Sequence, residues 1–140
     1  MKKKNSRCEF ASERSELLRR SYRESLARQS KISIAKAFQD AVEAPAPRFW
    51  VSEARAMRII KMMLKGEKVL DGMHSKKQQM YEEIFRRVKV MMEEHPEMPL
   101  GDVVFEVVNS PAPESYITGF YAAKVVKAHQ SVQGVVRIKK

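Results

Sequence analysis

The sequence predicts an all-α fold, and three observations carry that reading. Apolar residues recur at helical spacing through most of the chain, prolines interrupt them in two matching places, and one stretch occurs twice. Residues 42–61 align without a gap on residues 108–127, always 66 positions apart. Six of these twenty pairs are identical and six more are conservative, enough to treat the two stretches as one unit used twice. The expected architecture is two copies of a helix–Pro-Ala-Pro elbow–helix unit packed around a longer central helix, preceded by a charged N-terminal helix.

The N-terminal helix is expected from about residue 9 to 29. Leu18, Tyr22 and Leu26 fall at i, i+4 and i+8, with Leu17 beside them, a narrow apolar edge on a charged segment. Residues 1–7 hold no apolar side chain after Met1 and are expected to be disordered.

Repeat one spans residues 33–64. Ile34, Ala37, Phe38, Ala41 and Val42 form one stripe of a 3.6-period helix, and Ser33 is placed to cap it. Pro45 and Pro47 then stop the helix and push the residues before them to extended conformations. Ser52 caps a second helix, with Val51 placed to pack on Ala56 in the staple spacing. Its stripe is Ala56, Met57, Ile60, Met63 and Leu64.

Residues 65–74 hold two glycines and no period, and read as a loop. The central helix, 75–95, opens on a capping-box pattern, Ser75 to Gln78. Its stripe is Met80, Tyr81, Ile84, Phe85, Val88, Met91 and Met92. Glu82–Arg86 and Glu83–Arg87 are expected as i,i+4 pairs on its outer face.

Repeat two spans residues 99–130. Pro99 suits a first turn, and Leu100, Val103, Val104, Val107 and Val108 repeat the first stripe. Pro111 and Pro113 form the elbow. Thr118 caps the last helix, with Ile117 placed on Ala122 and with Ala123 and Val126 in its stripe. Residues 134–140 read equally as a short strand or a frayed tail.

The chain therefore divides into a basic N-terminal arm and helix, residues 1–30, and a duplicated helical domain, residues 31–140. It has 140 residues, a one-domain length. No run of 18 apolar residues exists, so no membrane partner is expected. Charged residues follow Met1 where a signal peptide needs an apolar stretch, and the single cysteine, Cys8, has no internal partner. Both point to the cytoplasm.

The net charge of +10 is uneven: residues 1–31 carry +6, residues 98–123 carry −3 and residues 124–140 carry +5. A polyanion would meet the N-terminal half first. The arm offers Lys2, Lys3, Lys4, Arg7, Arg14, Arg19, Arg20 and Arg23 for counterion release, without base readout. The second helix of repeat one adds Arg55, Arg58, Lys61 and Lys65 away from its apolar stripe, and Arg48 stands in the elbow before it. The connection is too long and too proline-rich for a helix-turn-helix. A solvated polar face explains the same residues. Trp50, matched by Tyr116, reads as a structural wedge rather than a base-stacking platform.

Catalysis finds no motif. His74, His95 and His129 are isolated, and the chain has no phosphate loop, metal-ligand spacing or nucleophile elbow. No metal, no cofactor and no enzymatic activity are expected.

With the segment Pro45 to Ser52 (PAPRFWVS) and Met80 to Arg87 (MYEEIFRR) downstream, the chain resembles small basic helical proteins of bacterial prophages and mobile elements. The likeness covers residues 14–127. Ser115 stands where the pattern has an aromatic, which separates the second copy from it. The resemblance implies a setting and no site. The expected function is a nucleic-acid-binding accessory protein, DNA favoured over RNA, such as a regulator or packaging factor. The alternative is a helical adaptor or structural protein that binds another protein or its own twin.

Overall fold

A computed structural model describes residues 10–127, and all regular structure in it is helical. The helices are α1 (Ala11–Arg28), α2 (Ile34–Glu43), α3 (Glu53–Leu64), α4 (Ser75–Glu94) and α5 (Leu100–Val108). Residues 119–127 are also helical and are denoted α6. No helix among the described residues is long and apolar enough to cross a membrane. Lys2, Lys3, Lys4, Arg7 and the 134–140 segment lie outside the described residues, as do the last three positions of repeat two.

Capping explains most boundaries. Ser33 Oγ accepts from the Lys36 N–H at 3.2 Å, Ser52 Oγ from the Arg55 N–H at 3.1 Å and Thr118 Oγ1 from the Tyr121 N–H at 3.0 Å. The expected capping box at Ser75 does not form. Ser75 is already helical, and the Gln78 amide instead donates to the carbonyls of Leu70 and Met73, at 3.0 and 2.9 Å. Those carbonyls belong to the preceding turn, so Gln78 ties that loop down rather than reaching back to the helix start.

The two Pro-Ala-Pro segments meet each other. A proline has no N–H, so in each segment only the alanine can donate. Ala46 N–H donates to Ala112 O at 3.0 Å, and Ala112 N–H to Ala46 O at 2.9 Å. The side chains that follow pair crosswise. Phe49 stacks on Tyr116 with centroids 6.2 Å apart, and Trp50 Nε1–H donates to Ser115 Oγ at 2.9 Å. Phe49 and Ser115 are 66 residues apart, as are Trp50 and Tyr116. Each position thus meets the counterpart of its neighbour, the pattern of an isologous contact. The match breaks at Tyr116, which has φ of +56°.

The elbows carry the chain between two cores. In the first, Ala56, Ile59 and Ile60 of α3 pack with Met80, Tyr81, Ile84 and Val88 of α4 and with Val103, Val104, Val107 and Val108 of α5. In the second, Leu18 and Tyr22 of α1 pack with Ala37 and Ala41 of α2 and with Ile117, Ala122 and Val126. Every buried residue of α4 belongs to the first core, so α4 does not lie centrally between the copies. α1 holds the corresponding place in the second core. Leu18 and Ile84, and Tyr22 and Val88, are buried pairs again 66 residues apart, while Ser25 of α1 and Met80 and Tyr81 of α4 are buried without such a counterpart. The starts of α2 and α5, and of α3 and α6, keep the same offset.

The second core is thinner because alanines stand where the first has valines. Ser25 of α1 is buried there and donates to Asp40 of α2 at 2.6 Å. Some stripe residues reach the surface instead of the core. Phe85 is only half-buried beside the fully buried Ile84, and Ile34, Leu64 and Met92 are exposed. They lie at the margins of their stripes or at helix ends, where the three-helix groups no longer cover them.

Candidate nucleic-acid interface

α3 turns Ala56, Ile59 and Ile60 into the first core. That orientation leaves Arg55, Arg58, Lys61 and Lys65 on the remaining face, with Arg55 half-buried and the other three exposed. None of the four is in an ion pair with a described residue. At the start of α3 a cleft of about 210 Å³ opens between the first turns of α1 and α4. Arg14 and Lys77 enter its wall beside Arg55, together with Ser52, Trp50 and Tyr81, and no carboxylate lines it among the described residues. Burial pushes the Tyr81 phenol above its ordinary value, and the nearby positive charges of Arg55 and Arg58 oppose that shift.

Arg14 lays its guanidinium over the Tyr121 ring, 4.9 Å from the centroid. Its Nε is buried without a hydrogen-bond partner. The N-terminal helix thus brings one cation to the basic surface of α3 and keeps others away from it. Arg19 pairs with Glu16 at 3.3 Å. Arg20 is exposed but lines grooves that also hold Glu13 and Glu16 on one side and Glu24, Asp40 and Glu43 on the other. Arg23 is exposed on the same helix.

Arg48 takes a different role from the one its sequence position suggested. Its guanidinium donates to Phe49 O at 2.9 Å, Val51 O at 2.7 Å and Asn109 Oδ1 at 3.1 Å, and stacks on Phe10 at 4.2 Å. Glu53 stands 3.9 Å away. These internal partners bind the elbow to the end of α5. In the second copy Glu114 stands at the Arg48 position and pairs with Lys76 at 2.7 Å.

Arg87 is the counterpart that sequence reasoning assigned only to a helix-surface pair. It donates to Glu83 at 2.7 Å, to Pro111 O at 2.8 Å and to Ser110 Oγ at 3.2 Å, and lies 5.0 Å over the Phe49 ring. Glu83 also accepts from Arg86 at 2.6 Å, so one carboxylate serves both arginines and the Glu82–Arg86 pair does not form. Nothing in the helical spacing signals the long-range contacts of Arg87. Lys77 was missed because nothing in the Lys76–Lys77 pair at the start of α4 marks which lysine meets other cations; only the folded arrangement brings Lys77 to Arg14 and Arg55.

The second copy offers less positive charge. Tyr121 replaces Arg55, and Lys124 lies 5.7 Å over the exposed Phe120 ring. Among the described residues, no group of three or more His, Cys, Asp or Glu side chains could hold a metal ion. No family model, curated protein or solved structure matches the chain.

Proposed function

We propose that the chain is a non-enzymatic nucleic-acid-binding accessory protein of the cytoplasm, a regulator or packaging factor of a prophage or mobile element, with DNA favoured over RNA. One observation carries this reading: among the described residues, no carboxylate is paired to any of the four cations on the α3 face, Arg55, Arg58, Lys61 and Lys65. Several cations elsewhere are neutralised locally, Arg19 by Glu16, Lys76 by Glu114, and Arg86 and Arg87 by Glu83. Unpaired cations in a row are what a phosphate backbone requires. Arg48 is left out of this surface because the elbow holds it.

The scaffold for that surface we read as a duplication of a three-helix unit, residues 11–61 and 77–127. The crosswise pairs at the elbows and the shared offset of the helix starts support this. The two units exchange their third helices, so each core is built from both copies. An adaptor function remains the second reading, supported by Phe105 and Phe120, whose side chains are exposed on α5 and α6. Titration of the full-length protein at low salt with duplex DNA, hairpin RNA and single strands tests the first reading. Binding to none of them leaves the adaptor.

A further inference from the structure

We infer that the cleft between the first turns of α1, α3 and α4 is a binding site for a phosphomonoester group. The inference shares Arg55 with the α3 surface but concerns a recessed site with a different ligand preference. Three cations from three separate helices, Arg14, Arg55 and Lys77, line it, with no carboxylate among the described residues of its wall. Bringing like charges together around a cleft is unfavourable unless an anion sits among them. Among the described residues Arg14, Arg55 and Lys77 make no ion pair, while Glu83, Glu114 and Glu16 pair with cations elsewhere.

The local backbone favours the same ligand. The cleft lies at the positive ends of α1, which begins at Ala11, and α3, which Ser52 caps. Ser52 and Tyr81, two hydroxyl-bearing residues, also line it. No hydrogen bond to a described residue holds the Arg14 guanidinium, which rests on the Tyr121 ring, so its terminal N–H groups keep donor capacity.

Size and charge select a monoester over a diester. At about 210 Å³ the cleft falls below the roughly 300–1,000 Å³ of sites that enclose whole small molecules. It fits a phosphate group rather than a duplex. A terminal phosphate carries about −1.5 to −2 charge and three acceptor oxygens, against a single negative charge on a backbone diester. Two sources share this chemistry: the phosphorylated end of a nucleic-acid strand, and a free phosphate or nucleotide.

Trp50 provides the readout, because it is the chain's one tryptophan and its ring lines the cleft. The full-length protein is titrated with one single-stranded oligonucleotide in 5′-phosphorylated and 5′-hydroxyl forms, and separately with a nucleoside monophosphate and inorganic phosphate at matched ionic strength. The phosphorylated strand should bind roughly tenfold more tightly than its hydroxyl twin. Trp50 emission should change with every phosphomonoester. Lys77→Ala should abolish both effects while leaving the hydroxyl strand bound; Lys77 is exposed, so the change spares the core. Arg14→Met should act in the same direction.

Equal binding of the two strands, with no Trp50 response to phosphate, overturns the site and leaves the nucleic-acid reading standing. A Trp50 response that persists in Lys77→Ala also overturns it. If no strand binds but phosphate moves Trp50 through Lys77, the site stands with a free ligand and the nucleic-acid reading falls.

Discussion

Replacing Phe49 by Ala should be among the most destabilising changes this chain can suffer. The ring is fully buried, stacks on Tyr116 and lies under the Arg87 guanidinium. Phe→Ala in a core costs roughly 3–5 kcal/mol, and the value rises when the surroundings cannot collapse into the hole. Here they are held on both sides. The Phe49 N–H is bonded to Val108 O at 3.0 Å, and the elbow before it is fixed by two prolines and by the Ala46–Ala112 pair. The upper half of that range is therefore expected. A domain of this size has about 5–15 kcal/mol in total, so the variant loses roughly a third or more. Urea unfolding followed by far-UV circular dichroism measures it. With a slope of about 1–3 kcal/mol per molar, the midpoint should fall by more than about 1 M. Phe85→Ala is the comparison. That ring is half-buried under Lys89, 5.3 Å away, and its loss should cost about half as much. A Phe49→Ala loss below about 1 kcal/mol, or one equal to that of Phe85→Ala, would refute the crosswise elbow packing.

Three further outcomes follow from the same structure. Ser115→Ala removes the acceptor of the Trp50 indole N–H and should cost about 1 kcal/mol, with a shift in Trp50 emission; an unchanged spectrum would contradict that bond. Hydrogen bonds hold three carboxyls below their ordinary range: Glu83 chiefly through Arg86, Glu53 through Asn109 and Asp40 through Ser25. Their folded values are depressed, so their stabilisation is fully present above the unfolded value of roughly 4 and is lost as pH falls through the folded values. Thermal unfolding from about pH 6 to about pH 2 should show this fall, and Glu83→Gln should make it shallower. Deleting residues 1–8 removes Lys2, Lys3, Lys4 and Arg7, and should weaken binding to all nucleic-acid sequences alike; loss confined to one sequence would show base readout by the arm.

The helices were legible because their signals are local. Ser33, Ser52 and Thr118 cap where their spacing placed them, and the Pro-Ala-Pro segments end α2 and α5 as proline chemistry requires. The packing was less so. α1 and α4 share almost no residue identities, so their equivalent places emerge only from the burial of Leu18 with Ile84 and Tyr22 with Val88. Phe85 and Ile84 are adjacent on one stripe, and periodicity cannot say which of them faces the core. Arg48 and Lys77 show the same limit at the candidate site. A basic residue in an exposed-looking elbow found four partners inside the fold, while one lysine of a pair at a helix start joined a cluster. Partners more than 60 residues away, such as Asn109 for Arg48, leave no trace in local spacing.

The most direct test of the proposed function is the salt dependence of duplex DNA binding in three forms of the full-length chain. These are the unaltered protein, Arg55→Gln with Arg58→Gln, and Lys124→Gln with Lys127→Gln. Log affinity should fall linearly with log salt, with a slope of about −0.9 for each phosphate neutralised. The α3 double change should flatten that slope by about 2, while the α6 change should alter it less because Tyr121 stands where copy one has Arg55. A slope unmoved by the α3 change, or moved more by the α6 change, would contradict the assignment of the polyanion surface to α3.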